Sequence, residues 1–179
     1  MALRKALAYS KKHVTPYTRK STSKNKNYIK TVPPVKISKF QMGDLNGYKE
    51  GKYNIIIKLC SGEDVLIRDN ALEAARQYVN KELEKNSAGQ FYFELKVHPH
   101  HIIRENKTLT GAGADRMSKG MQHSFGTTIG RGAIVKKDKE IFLVATNNEK
   151  VKRIAIDALE KIKAKIPCHA RIVLETKNK

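Results

Sequence analysis

Tryptophan is absent from this chain, cysteine occurs twice, and no Asp or Glu precedes Asp44. Each shortage closes off a class of protein. Cys60 and Cys168 are too few for a disulfide framework or a cysteine-based zinc site, and a reducing, cytoplasmic setting is the natural expectation. No stretch approaches the roughly 20 continuous apolar residues that a membrane-spanning helix needs. Met1 to Ala8 begins like a leader, but Arg4 and Lys5 interrupt it and Lys11-Lys12 follow, so neither a targeting segment nor a membrane partner is expected. Aromatic residues make up 7% and hydrophobic residues 40% of the 179 positions. That suits one domain with a modest core, or a smaller domain with extensions.

Positive charge is what the chain has in excess. It carries 36 Lys and Arg against 17 Asp and Glu, a net charge of +19 and a sequence pI near 10.0. Such a chain repels itself and seeks a polyanion. Nucleic acid leads over an anionic membrane or an acidic protein, because phosphate is the densest common counter-charge. The charge is also uneven. Residues 1–39 hold 11 cations (Arg4, Lys5, Lys11, Lys12, Arg19, Lys20, Lys24, Lys26, Lys30, Lys36 and Lys39) and no acid. Tyr9, Tyr17 and Tyr28 are interleaved with them, so phosphate neutralisation is combined with flat groups able to stack on bases. The segment lacks a sustained hydrophobic period, contains the polar run Ser21 to Asn27, and ends near Pro33-Pro34. It reads as a basic extension that does not fold without a partner.

Residues 40–179 read as a single α+β domain. Asn54 to Cys60 and Val65 to Ile67 are β-branched runs around Ser61-Gly62-Glu63-Asp64, the pattern of a hairpin. Asn70 with Glu73 forms a capping-box-like start, and Leu72, Ala75, Val79 and Leu83 repeat along one helical face up to Ser87-Ala88-Gly89. Phe91 to Val97 is a strand, and Ile102-Ile103 begins or continues another beyond Pro99. A second hairpin is expected from Ala133 to Val135 and Ile141 to Val144 through Lys136-Lys137-Asp138-Lys139. Thr146 and Glu149 form a second capping box, and Val151, Ile154, Ala155, Ala158 and Ile162 give a helical stripe that Pro167 stops. Ala170 to Glu175 is the last strand. The two halves share this layout without matching residue by residue, and the expected product is two main helices packed on mostly antiparallel sheet.

Between the halves, Glu105 to Gly132 holds six of the 11 glycines, with Lys107, Arg116, Lys119 and Arg131 against Glu105 and Asp115. A loop of this length is usually functional, and its glycines let peptide N–H groups come close to phosphate. Gly111-Ala112-Gly113-Ala114-Asp115-Arg116 opens like a dinucleotide fingerprint. Arg116 stands where the third glycine belongs and the βαβ setting is missing, so no cofactor is expected. His98-Pro99-His100-His101 invites a metal, but no acid or cysteine completes a ligand set, and a turn whose imidazoles meet RNA or a neighbouring loop is the reading taken. No nucleophile elbow, deaminase motif or helical His-Glu-x-x-His pair is present, and no enzyme activity is expected.

One long motif carries a resemblance. His98 to Lys107, then Gly111-Ala112-Gly113-Ala114-Asp115-Arg116-Met117 with Gly120-Met121 and Phe125-Gly126, resembles the archaeal and eukaryotic form of the large-subunit ribosomal protein L sixteen family, also called L ten-e. Pro16-Tyr17-Thr18-Arg19, Lys36 to Gly43 and Ala71 to Arg76 fit the same family. The family usually has an acid where Gln41 stands and a proline after Arg4, and Lys20 to Asn27 is longer than typical. The resemblance implies an α/β-hammerhead-like two-layer domain that binds large-subunit rRNA near the aminoacyl-tRNA site and close to 5S rRNA. Neighbouring large-subunit proteins are implied as partners, and a second copy of the chain is not. The residues expected at rRNA are Arg4, Lys5, Lys11, Lys12, Tyr17, Arg19, Lys20, Lys24, Lys26, His98, His100, His101 and Arg131. The loop from about Arg104 to Ser118 is implied to reach toward the peptidyl-transferase region and tRNA in the aminoacyl and peptidyl sites, presenting Arg104, Lys107, Gly111, Gly113, Asp115 and Arg116, with Lys119 beyond. Catalysis would remain with the RNA.

Overall fold

The computed structural model describes residues 5–10, 18, 29, 31–105 and 126–176. In chain order they form β1 (Gln41–Gly43), α1 (Leu45–Lys49), β2 (Ile55–Ser61), β3 (Val65–Arg68), α2 (Asp69–Ser87), β4 (Phe91–Leu95), β5 (His101–Glu105), β6 (Thr127–Val135), β7 (Glu140–Thr146), α3 (Glu149–Lys163) and β8 (Ala170–Thr176). Five strands make one antiparallel sheet in the order β1-β4-β7-β2-β8, and three make a second in the order β3-β6-β5. The α+β class with antiparallel sheets is as the sequence implies.

The pairing differs from the sequence reading. Neither expected hairpin forms: β2 pairs with β7 and β8 while β3 pairs with β6, and β6 lies in the small sheet while β7 lies in the large one. The reason is burial. Every residue of β2 except Lys58 is buried, and so is every residue of β7 except Glu140. Strands covered on both faces belong in the middle of a sheet, and each already has a neighbour on either side. Ser61 to Asp64 is therefore a crossover between sheets, fastened by Gly62 N–H donating to the His169 carbonyl at 2.7 Å. A Cβ at Gly62 would stand 3.0 Å from that oxygen. The strands that are adjacent both in the chain and in a sheet are β5 and β6, which flank the glycine-rich stretch.

One face of the large sheet carries the main core. Leu72, Ala75, Val79 and Leu83 of α2 are all fully buried, as the stripe requires, against Val151, Ala155, Ala158, Leu159 and Ile162 of α3. Helix α2 touches α3, β4 of the large sheet, and β3 and β6 of the small one, so it ties the sheets together. Burying one such Leu side chain is worth about 2 kcal/mol. Of the expected α3 stripe, Ile154 is only half-buried, and Leu159 takes its place. The opposite face is smaller: Tyr53, Ile56, Tyr92, Leu143 and Ala145 are covered by Leu45 and Tyr48 of α1, with Tyr48 stacked on Tyr92 at 4.2 Å.

The helix starts also differ from the capping boxes read in the sequence. Arg68 occupies the N-cap of α2 without a side-chain cap, and Glu73 turns to Arg76 instead of back to the helix start. Asn148, not Thr146, caps α3 by accepting from Lys150 N–H at 3.0 Å. Helix α3 ends at Lys163, ahead of Pro167.

Candidate nucleic-acid interface

Beyond β4 the chain runs extended through Lys96 to His100, so side chains alternate between inside and outside. Val97, Pro99 and His101 point in, and His98 and His100 point out. His98 lies against Phe40, with ring centroids 5.4 Å apart, and 6.4 Å from His100. Burial against its neighbours, then the charges of His100 and Arg131, hold the His98 imidazole below its usual value of 6.5. The pair therefore presents two flat rings, that of His98 favouring its neutral form, beside a permanent cation. That combination can stack on bases while a guanidinium approaches phosphate.

Arg131 sits in mid-β6, opposite Ile102, and its Nε–H donates to the Pro33 carbonyl at 2.7 Å. This bond ties Pro33 to the small sheet, while Ile37 is buried in the core and Ser38 sits between Glu73 and Arg76 of α2. Asp69, the first residue of α2, is 2% exposed at the same junction. Burial raises its carboxyl above the ordinary range, while the peptide N–H groups of Asn70, Lys36 and Arg131 pull it back down. Asp69 Oδ1 accepts from Asn70 N–H at 2.8 Å at the start of α2, with the Lys36 and Arg131 peptides acting on the same carboxylate. Its role and the contact of Phe40 with His98 went unread in the sequence. A phenylalanine beside Lys39 was the only available signal for the latter.

Arg104 follows a register shift between Ile103 and Arg104 in β5 and donates to the Gly126 carbonyl at 3.4 Å, at the end of the small sheet where the glycine-rich stretch departs. A bulge re-aims the side chain that follows it. Lys5 lies exposed in a short turn whose carbonyl accepts from the Arg68 guanidinium at 2.6 Å, and Leu66 N–H donates to Ser10 at 3.3 Å.

The structure therefore brings His98, His100 and Arg131 together, sets Arg104 at the end of the small sheet and Lys5 beside β3, and places His101 inside at 4% exposure, opposite Gly132. Arg4, Lys11, Lys12, Tyr17, Arg19, Lys20, Lys24, Lys26, Lys107, Gly111, Gly113, Asp115, Arg116 and Lys119 lie outside the described residues. Among the described residues no group of three His, Cys, Asp or Glu is placed to hold a metal ion, and no helix is long and apolar enough to cross a membrane.

Fold and surface together define a class: a strongly cationic, two-sheet α+β protein whose exposed chemistry suits a polyanion. Comparison with known proteins narrows it. The family model for ribosomal protein L16p/L10e matches residues 14–173. The large ribosomal subunit protein uL16 of Thermofilum pendens is 41% identical over 176 residues, 98% of each chain. That of Staphylothermus marinus is 40% identical over 176 residues, 98% of this chain and 95% of its own, and that of Methanococcus aeolicus 38% over 176 residues, 97% and 95%. This chain belongs to the ribosomal protein L16p/L10e family, whose members are structural components and not enzymes.

Proposed function

We propose that the chain is a structural constituent of the large ribosomal subunit, binding large-subunit rRNA near the aminoacyl-tRNA site and close to 5S rRNA, beside other large-subunit proteins. In this reading residues 1–39 are an rRNA-binding extension, anchored through Pro33, Ile37 and Ser38 to residues 40–179, the domain that directs it. The stretch from about Arg104 to Ser118 extends toward the peptidyl-transferase region and tRNA. The observation that carries the reading is the end-to-end similarity to archaeal proteins named for the large subunit. The acid-free run of 11 cations and the His98, His100 and Arg131 surface support it.

Neutralisation of several phosphates would make binding fall steeply with salt, by a power of about 0.7 to 0.9 for each phosphate. Sucrose-gradient fractionation of tagged protein is the direct test. The signal is expected to migrate with large subunits and to leave them at high salt. Migration at the top of the gradient at every salt concentration overturns the reading.

A further inference from the structure

We propose that the β6–β7 turn, Lys136-Lys137-Asp138-Lys139, is a second RNA-backbone contact, remote from the histidine surface, so that the domain bridges two phosphate-bearing segments. The inference rests on the RNA-binding reading above.

The turn is clamped. Asp138 N–H donates to the Ser61 carbonyl at 2.8 Å, Ser61 N–H to the Lys139 carbonyl at 3.0 Å, and Lys139 N–H to the Lys136 carbonyl at 3.1 Å. Lys137 N–H donates to Asp64 Oδ1 at 2.7 Å. Asp138 takes a left-handed backbone, φ 65°, which aspartate tolerates better than most residues. The turn is thus held against the crossover between the sheets.

The acids around it are committed elsewhere. Asp138 Oδ1 pairs with the Arg171 guanidinium at 2.5 Å, Glu63 Oε1 accepts from His169 N–H at 3.1 Å, and Glu140 pairs with Lys58 at 2.9 Å. Lys136, Lys137 and Lys139 are all exposed, and among the described residues none of their ammonium groups has an acidic partner. Lysines that guard against aggregation stand on sheet edges. These three crowd one short turn next to the central strand of the small sheet, where Asp64 and Asp138 offset part of their charge and the remaining excess is positive and open to an outside anion.

Position gives the turn its meaning. Strand β6 carries the glycine-rich stretch at its Thr127 end, Arg131 at its middle and the lysine turn beyond Val135. At about 3.3 Å per residue, the end of β6 at Val135 lies roughly 13 Å from Arg131, and the lysine turn begins beyond it. One rigid strand therefore holds two separate cationic groups, too far apart for a single phosphate.

The test uses the full-length protein and purified large-subunit rRNA, with binding measured across a salt series and hydroxyl-radical footprinting of the RNA. The triple substitution K136Q/K137Q/K139Q is expected to weaken binding at least about tenfold near 0.1 M salt and to reduce the slope of log affinity against log salt by about 2 to 3. K81Q/K85Q on the exposed face of α2 serves as the control and is expected to change binding less than about twofold. Protections lost in the triple variant should differ from those lost in H98Q/H100Q, and an unchanged thermal melt shows that the fold survives. If the parent binds and the triple variant keeps its affinity and slope, or if both variants lose the same protections, the inference is overturned and the RNA-binding reading stands. If the parent itself shows no affinity for the RNA, both fall.

Discussion

Arg76 holds Glu73 at two points, one turn apart on α2: Nε–H donates to Oε2 at 2.8 Å and an Nη2–H to Oε1 at 2.6 Å. The same guanidinium reaches Ser38 Oγ at 2.9 Å and Met42 Sδ at 3.0 Å, so a single arginine fastens the residues ahead of β1, and β1 itself, to the helix. Both partners are largely sheltered, with side chains 9% and 13% exposed. The Arg76 hydrogen bonds outweigh the cost of burial and draw the Glu73 carboxyl from 4.5 down to about 2.

A carboxyl whose pKa is depressed by folding stabilises the folded state when ionised. That stability is full above about pH 5 and fades as pH falls toward about 2. Glu73→Gln is expected to lower stability at pH 7 by about 3 kcal/mol, part of it from leaving a buried guanidinium without its counter-charge. Urea melts of parent and variant should converge as pH drops from 4.5 to 3. A gap equal at pH 7 and pH 3 contradicts the clasp.

His98 offers the opposite sign. Its imidazole is held below 6.5, first by burial, so the folded state resists its protonation, and stability is full above 6.5 and declines as pH falls below it. Phe40→Ala removes the covering ring and should move the titration of His98, followed by NMR, upward toward 6.5. Bound phosphate would favour the charged ring, so affinity for rRNA is expected to rise between pH 7.5 and 5.5 in the parent and to stay level in H98Q/H100Q. Identical pH profiles would remove these rings from the interface.

Two glycines with similar backbones should respond differently to alanine. Gly43 has φ 83° and Gly51 φ 73°, but a Cβ at Gly43 would lie 2.2 Å from the Phe91 carbonyl oxygen, whereas nothing lies within 4 Å at Gly51. Gly51→Ala carries only the left-handed strain, about 1 kcal/mol. Gly43→Ala must also push β1 away from β4, and a loss of about 3 kcal/mol or more is expected in thermal melts. Equal losses would show that the contact with Phe91 relaxes freely.

What could be read from the residues and what could not follows a physical line. Helix α2 was legible because Leu72, Ala75, Val79 and Leu83 repeat at the helical period, which depends on local geometry alone. The turn read at His98 to His101 does not form: the chain there is extended, as the residue before Pro99 favours, and this sets His98 and His100 on one outward side. Strand partners were not legible. The run Ile55-Ile56-Ile57 carries the sign of a strand buried on both faces, but nothing local says that Ile57 lies between Val144 and Leu174. Strand β1 and helix α1 were missed because three and five residues carry too little pattern, and β1 exists through its pairing with β4. Gln41, where the family usually has an acid, faces Glu94 across that pairing, and a second carboxylate there would be repelled. The family itself was legible because the motif from His98 to Gly126 is long, although much of it falls outside the described residues.

The order of strands in the large sheet also sets a timetable. Ile55 to Ser61 emerge early from the ribosome that makes this chain, yet one of their two neighbours is Ala170 to Thr176, more than a hundred positions later. Their other neighbour, Glu140 to Thr146, also lies far downstream, so the strand's pairing on both flanks waits for distant segments. Closure between such distant segments is slow, and the final strand is the piece that completes the large sheet.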